Sequence, residues 1–87
     1  MRAIIIEDEP LATERLTVLV EQVCPGTTIE TCLDSVSDAV DWFREQSHPD
    51  FVLMDIHLSD GSAFEIFRKV RLDIPVIFTT AFDKYAL

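Results

Sequence analysis

Basic residues are scarce in this chain: seven lysines and arginines stand against sixteen acids, for a formal charge of −9 over 87 residues. That balance disfavours direct binding to nucleic acid or to an anionic membrane surface, since both repel a polyanion. Cysteine is sparse as well. Cys24 and Cys32 make neither a CxxC pair nor a zinc pattern, and in a reducing compartment they read as small core residues rather than a bridge. No apolar run approaches the roughly 20 residues of a membrane span, and the N-terminal run Met1 to Ile6 meets Glu7 too early for a signal peptide. A cytoplasmic protein is therefore expected. Repeats, low-complexity tracts and flexible linkers are missing too, so the length accommodates one domain around a single core.

What the chain does have is alternation. Ala3-Ile4-Ile5-Ile6 is a short β-branched run, apolar on both faces, that ends abruptly at Glu7-Asp8-Glu9 and reads as an interior parallel strand. Pro10 suits the first turn of a helix, and Leu11, Arg15, Leu16, Leu19, Val20 and Val23 follow at helical spacing until Cys24-Pro25-Gly26 stops it. Residues 28–33 have the composition of a second strand, near an edge. Asp34 to Ser37 supply caps for a second helix with Val36, Ala39, Val40 and Phe43 on its buried stripe, Trp42 at the margin, and His48 in the loop beyond. Phe51 to Asp55 is a third strand. Gly61-Ser62 is expected to open a third helix, with Ser62 and Glu65 at capping-box spacing and Phe64, Phe67 and Val70 inside. Val76 to Thr79 makes a fourth strand, running into Thr80-Ala81.

The order β-α-β-α-β-α-β predicts an α/β fold, a doubly wound parallel sheet with right-handed crossovers and helices on both faces. In such a sheet every strand ends on the same rim, so Glu7, Asp8, Asp55 and Thr80 should meet there although they are remote in sequence. Three carboxylates in one crevice repel unless a cation compensates them or one stays protonated. Oxygen-only donors of this kind suit Mg²⁺, which shares its remaining positions between water and phosphate oxygens. A hydroxyl at Thr80 beside the small Ala81 leaves room for a phosphoryl group. For Asp8, just before Pro10, a helix cap is the structural alternative, for Asp55 a turn or a helix cap, and for Thr80 turn duty.

Three motifs in order, Ile-Ile-Ile-Glu7-Asp8-Glu9, Val-Leu-Met-Asp55 followed by Asp60-Gly61, and Phe-Thr-Thr80-Ala81, make the chain resemble a receiver domain of the two-component response regulators over nearly its whole length. Residues 55–61 and 78–87 resemble receivers of the LytTR class. The resemblance implies a flavodoxin-like sheet of order 2-1-3-4 within this chain. It makes Asp55 the acceptor of a phosphoryl group from a sensor histidine kinase. Asp8 is then a direct Mg²⁺ ligand, Glu7 a ligand through water or at longer reach, and the His57 main-chain carbonyl a further ligand. Thr80 becomes the group that hydrogen-bonds the phosphoryl oxygen and switches the following loop. Activity is that of a signalling switch rather than a metabolic enzyme, and an attached transcriptional output domain is implied.

The family pattern also has a fifth strand, further helices and a lysine after that strand, none of which occurs in these residues. Lys84 falls in the segment that would begin the fourth helix and does not replace it. Ser59 stands where many receivers carry proline. A receiver domain spanning residues 1–87 and incomplete at its C-terminus is therefore expected. Its fourth strand is left as an edge, and self-association by edge pairing or element swapping is expected to follow. Two other readings stay open: a phosphorylation-deficient receiver acting as a binding module, and a Mg²⁺-dependent hydrolase, for which the missing Asp-x-Asp pair and general base are unfavourable.

Overall fold

The computed structural model describes residues 1–79. Its elements are β1 (Arg2–Ile6), α1 (Pro10–Val23), β2 (Thr28–Leu33), α2 (Val36–Glu45), β3 (Phe51–Asp55), β4 (His57–Leu58), β5 (Gly61–Ser62), α3 (Phe64–Lys69) and β6 (Val76–Thr79). The main sheet has the order β2-β1-β3-β6 and every pairing in it is parallel, which is the expected order with the fourth long strand now labelled β6. No described helix is long and apolar enough to cross a membrane.

Strand side chains alternate between faces, and the two central strands divide their residues accordingly. Ile4, Ile6, Val52 and Met54 face α2 and α3, where they pack with Val36, Ala39, Val40, Phe43, Leu58, Ala63 and Ile66. Ala3, Ile5, Phe51 and Leu53 face the other way, onto Val20 and Leu16 of α1. The stripe read for α2 from its spacing is the buried one, and Trp42 packs against its edge.

Two helices turn a different side inward from the one expected. In α1 only Val20 is fully buried, with Leu16 partly so, while Leu11, Val18, Leu19 and Val23 are exposed. A helix with apolar residues on more than one side offers several candidate stripes, and spacing alone does not choose among them. In α3 the buried residue is Ile66, whereas Phe64 is 52% exposed and Phe67 lies beside it, both packing loosely against Phe78 of β6. The cause is a hairpin. Gly61-Ser62 does not open the helix but pairs antiparallel with His57-Leu58, so α3 starts later, at Phe64, and Ser62 Oγ accepts from the Phe64 amide rather than boxing with Glu65. The cysteines are likewise not core residues: Cys32 is exposed on the outer strand β2 and Cys24 is half-buried, and neither is bridged.

Side chains satisfy the first amides of α2, which otherwise lack intrahelical acceptors. Ser35 Oγ accepts from the Asp38 amide at 3.1 Å, and Asp60, from the distant hairpin, accepts from Val36 at 2.7 Å and Ser37 at 3.0 Å. At the opposite end of the sheet Arg2 ties β1 to its surroundings. Its guanidinium pairs with Glu30 and donates to the Ser47 and His48 carbonyls, while its amide donates to Asp50. His48 is a loop residue, as expected, with Nε2 3.0 Å from the Phe43 carbonyl.

Two outcomes follow. By urea denaturation Ile66→Ala should cost about 2–5 kcal/mol, the range for emptying a buried aliphatic site, and Phe64→Ala at most about 1 kcal/mol as a surface change. The Val36 amide, with help from Ser37, holds the Asp60 carboxyl below the usual carboxylate range against a smaller opposing effect of desolvation. Its contribution to stability is thus fully present above the unfolded value of about 4 and is lost as pH falls through the lower folded value. The gap in melting temperature between the wild type and Asp60→Ala should therefore be constant near neutrality and close in acid.

Candidate functional site

β1 and β3 are neighbours in register, Ile5 beside Leu53 and Ile6 beside Met54. The residues that follow, Glu7 and Asp55, are therefore brought side by side, and they share the parity of Ile5 and Leu53, so both leave the sheet on the same side. Beyond Ile6 the ladder continues for one bond, the Glu7 amide donating to the Leu33 carbonyl at 2.8 Å. α1 begins at Pro10, where a missing N–H leaves no helical bond unmade. Asp8 is confined to this short connection between strand and helix. Asp55 closes β3 and lies opposite Thr79 of β6.

The outcome is a single acidic cluster. One carboxylate oxygen from each of Glu7, Asp8 and Asp55 lies within 4.8 Å of the others. Glu7 is 4% exposed and Asp55 1%, while Asp8 is intermediate. Unit charges at about that separation repel by on the order of 3 kcal/mol at an effective dielectric near 20, so the cluster calls for a cation or a retained proton. The helix-cap alternative for Asp8 does not hold: the N-cap of α1 is Glu9, no side chain caps it, and Asp8 Oδ1 is buried with no hydrogen-bond partner among the described residues. A buried, unsatisfied carboxylate oxygen facing two further carboxylates fits a hard divalent ion bound through oxygen.

Just after Asp55 the main chain turns into the β4-β5 hairpin. The His57 amide is 3.5 Å from Asp55 Oδ1, and the His57 side chain is exposed. Leu58 anchors the hairpin in the core, and the Ala63 amide returns to the Ile56 carbonyl at 2.8 Å. Gly61 adopts φ +145°, a conformation that side chains rarely accept, which is why the turn ends on glycine. Thr80, expected to complete the rim, and Lys84 lie outside the described residues.

Residues 3–87 match the response regulator receiver domain. The chain belongs to that family. The sensory transduction protein LytT of Enterococcus faecalis is 40% identical over 90 residues, a match that takes in 100% of this chain and 36% of the relative. Among solved structures, the response regulator PhyR of Brucella abortus superposes with a TM-score of 0.75 at 35% identity, covering 93% of this receiver and 33% of that chain. The MaeR response regulator bound to beryllium trifluoride gives 0.72 at 26% identity, with coverages of 93% and 67%. The receiver thus spans about a third of the curated LytT relatives it matches, and their names agree with the LytTR subtype read from its motifs.

The hairpin was the feature that sequence reasoning missed. Its signal was present, since Asp60-Gly61 is a strong turn pair, but Ser62 and Glu65 at capping-box spacing competed with it.

If Asp8 is held against its neighbours by the fold alone, neutralising it should relieve repulsion. In the absence of divalent cations Asp8→Asn is expected to stabilise the receiver by about 1 kcal/mol. Mg²⁺ should raise the melting temperature of the wild type and leave that of the variant nearly unchanged.

Proposed function

We propose that this chain is the phosphoacceptor receiver of a two-component phosphorelay, in which Asp55 takes a phosphoryl group from a phosphohistidine on a sensor histidine kinase. The observation that carries the reading is Asp55 itself: a carboxylate 1% exposed at the end of a buried strand, with Glu7 and Asp8 beside it. A structural acid has no reason to be there in such company. Family membership supports the reading, and so does the beryllium trifluoride, a phosphoryl mimic, bound by MaeR.

In the transfer, an Asp55 carboxylate oxygen attacks phosphorus in line with the kinase imidazole. The O–P bond forms as the P–N bond breaks, and the imidazole leaves with the electron pair and takes up a proton. Phosphoryl transfer of this kind needs positioning and neutralisation of charge more than covalent machinery. Asp8 would hold Mg²⁺ directly, Glu7 through water or at longer reach, and the His57 carbonyl would add a main-chain oxygen. The ion supplies positive charge that offsets the three carboxylates and the incoming phosphoryl oxygens. Thr80 would then donate to a phosphoryl oxygen and report phosphorylation to the residues that follow it. Residues found in the longer relatives but not in this chain would carry the output, for which the transcriptional regulatory protein LytR of Staphylococcus aureus is the guide.

The second reading is a binding module, a receiver that self-associates without efficient phosphorylation. One experiment separates the readings. The chain is incubated with Mg²⁺ and acetyl phosphate, and its intact mass is followed. A single acid-stable, base-labile phosphoryl adduct that Asp55→Asn abolishes and chelation prevents is expected. Turnover of other phosphoesters would instead indicate a hydrolase, absence of both adduct and turnover leaves the binding module, and labelling that survives chelation refutes the metal assignment.

A further inference from the structure

The β4-β5 hairpin has two ladder pairs of its own, His57 with Ser62 and Leu58 with Gly61, closed at the base by the Ala63 amide on the Ile56 carbonyl. An isolated hairpin so short does not hold its position. Its place relative to Asp55 must come from tertiary anchors, Leu58 in the core and side-chain hydrogen bonds at its tip. Ser59 Oγ donates to the Asp34 carbonyl at 3.2 Å. Asp60 spreads its two carboxylate oxygens over the Val36 and Ser37 amides at 2.7 and 3.0 Å. These partners are at the start of α2, which is itself fixed on the sheet by Val36, Ala39, Val40 and Phe43. The other end of the same hairpin is His57, whose amide faces Asp55 Oδ1.

We propose that Asp60, assisted by Ser59, is a positioning residue for the metal site: by pinning the hairpin to the N-terminus of α2 it holds the His57 main chain at the distance from Asp55 that ion binding requires. The inference rests on the metal reading given above. Asp60 does not touch the ion, so its effect passes through the backbone between residues 57 and 60. Losing the tether leaves the three carboxylates in place but frees the main-chain ligand, and the resulting loss of affinity resembles that from removing any group that orients a metal ligand.

The test compares Asp60→Ala, the milder Asp60→Asn and Ser35→Ala in the 87-residue chain, by ¹H–¹⁵N NMR titration with Mg²⁺ and by hydrogen exchange at the His57 amide. Ser35→Ala removes a cap from the same helix without touching the hairpin, and so controls for simple loss of α2 stability. Asp60→Ala should raise the Mg²⁺ Kd by about tenfold, the low end for groups that orient a ligand, and accelerate exchange at His57. Asp60→Asn, keeping one acceptor oxygen, should fall between it and the wild type, and Ser35→Ala should change neither readout by more than about twofold. Equal Kd values in all chains, or equal losses in Asp60→Ala and Ser35→Ala, would overturn the proposal. Absence of Mg²⁺ binding by the wild type would overturn the metal reading, and the proposal with it.

Discussion

Carboxylate oxygens gathered within 4.8 Å of one another repel, and the rest of the structure is what keeps them together. The force that holds them is not local. Ile4 to Ile6 and Val52 to Met54 are buried in the two central strands, and their register leaves Glu7 and Asp55 no freedom to separate without moving the strands that precede them. A slip of one residue in that register would send every strand side chain to the opposite face. Hydrophobic burial on both faces of the sheet therefore supplies the free energy that the electrostatics of the rim oppose. This is the usual relation between a strained site and the scaffold that holds it.

The same logic explains why so much of the fold was legible in the sequence. Strands β1, β3 and β6 are continuous apolar runs bounded by charge, proline or polar loops, and in the structure both ends of β3 and the start of β6 fall at the expected residues. α2 was legible because its apolar residues occupy one side only. The acidic cluster followed from topology alone: once four strands are parallel, the residues that end them share a rim. The role of each acid was not legible in that way and came from the family resemblance.

What the sequence hid has physical causes. α1 carries leucines and valines on several sides, and the contacts of Leu16 and Val20 with Ala3, Ile5 and Leu53 choose among them. In α3 the onset moved because Gly61 and Ser62 were drawn into a hairpin, and a shift of onset rotates which residues face inward. Ile66 then takes the place that Phe64 and Phe67 seemed to claim. Asp60 was hidden for a different reason. A carboxylate that caps a helix far away in sequence has no local pattern, since the amides it meets belong to residues 36 and 37.

The tether at Asp60 also gives the two faces of the sheet different roles. The α1 face meets the strands chiefly through Leu16 and Val20, and nothing on α1 bonds to the hairpin among the described residues. The α2 face is deeply packed and is joined to the hairpin twice, by Leu58 inside the core and by Ser59 and Asp60 at the tip. Since the hairpin starts at the residue after next from Asp55, a change of charge or volume on that carboxylate reaches a segment tied to the start of α2. The hairpin beyond β3 is thus tied to the start of α2 by side-chain hydrogen bonds, while β3 itself pairs in parallel with β6.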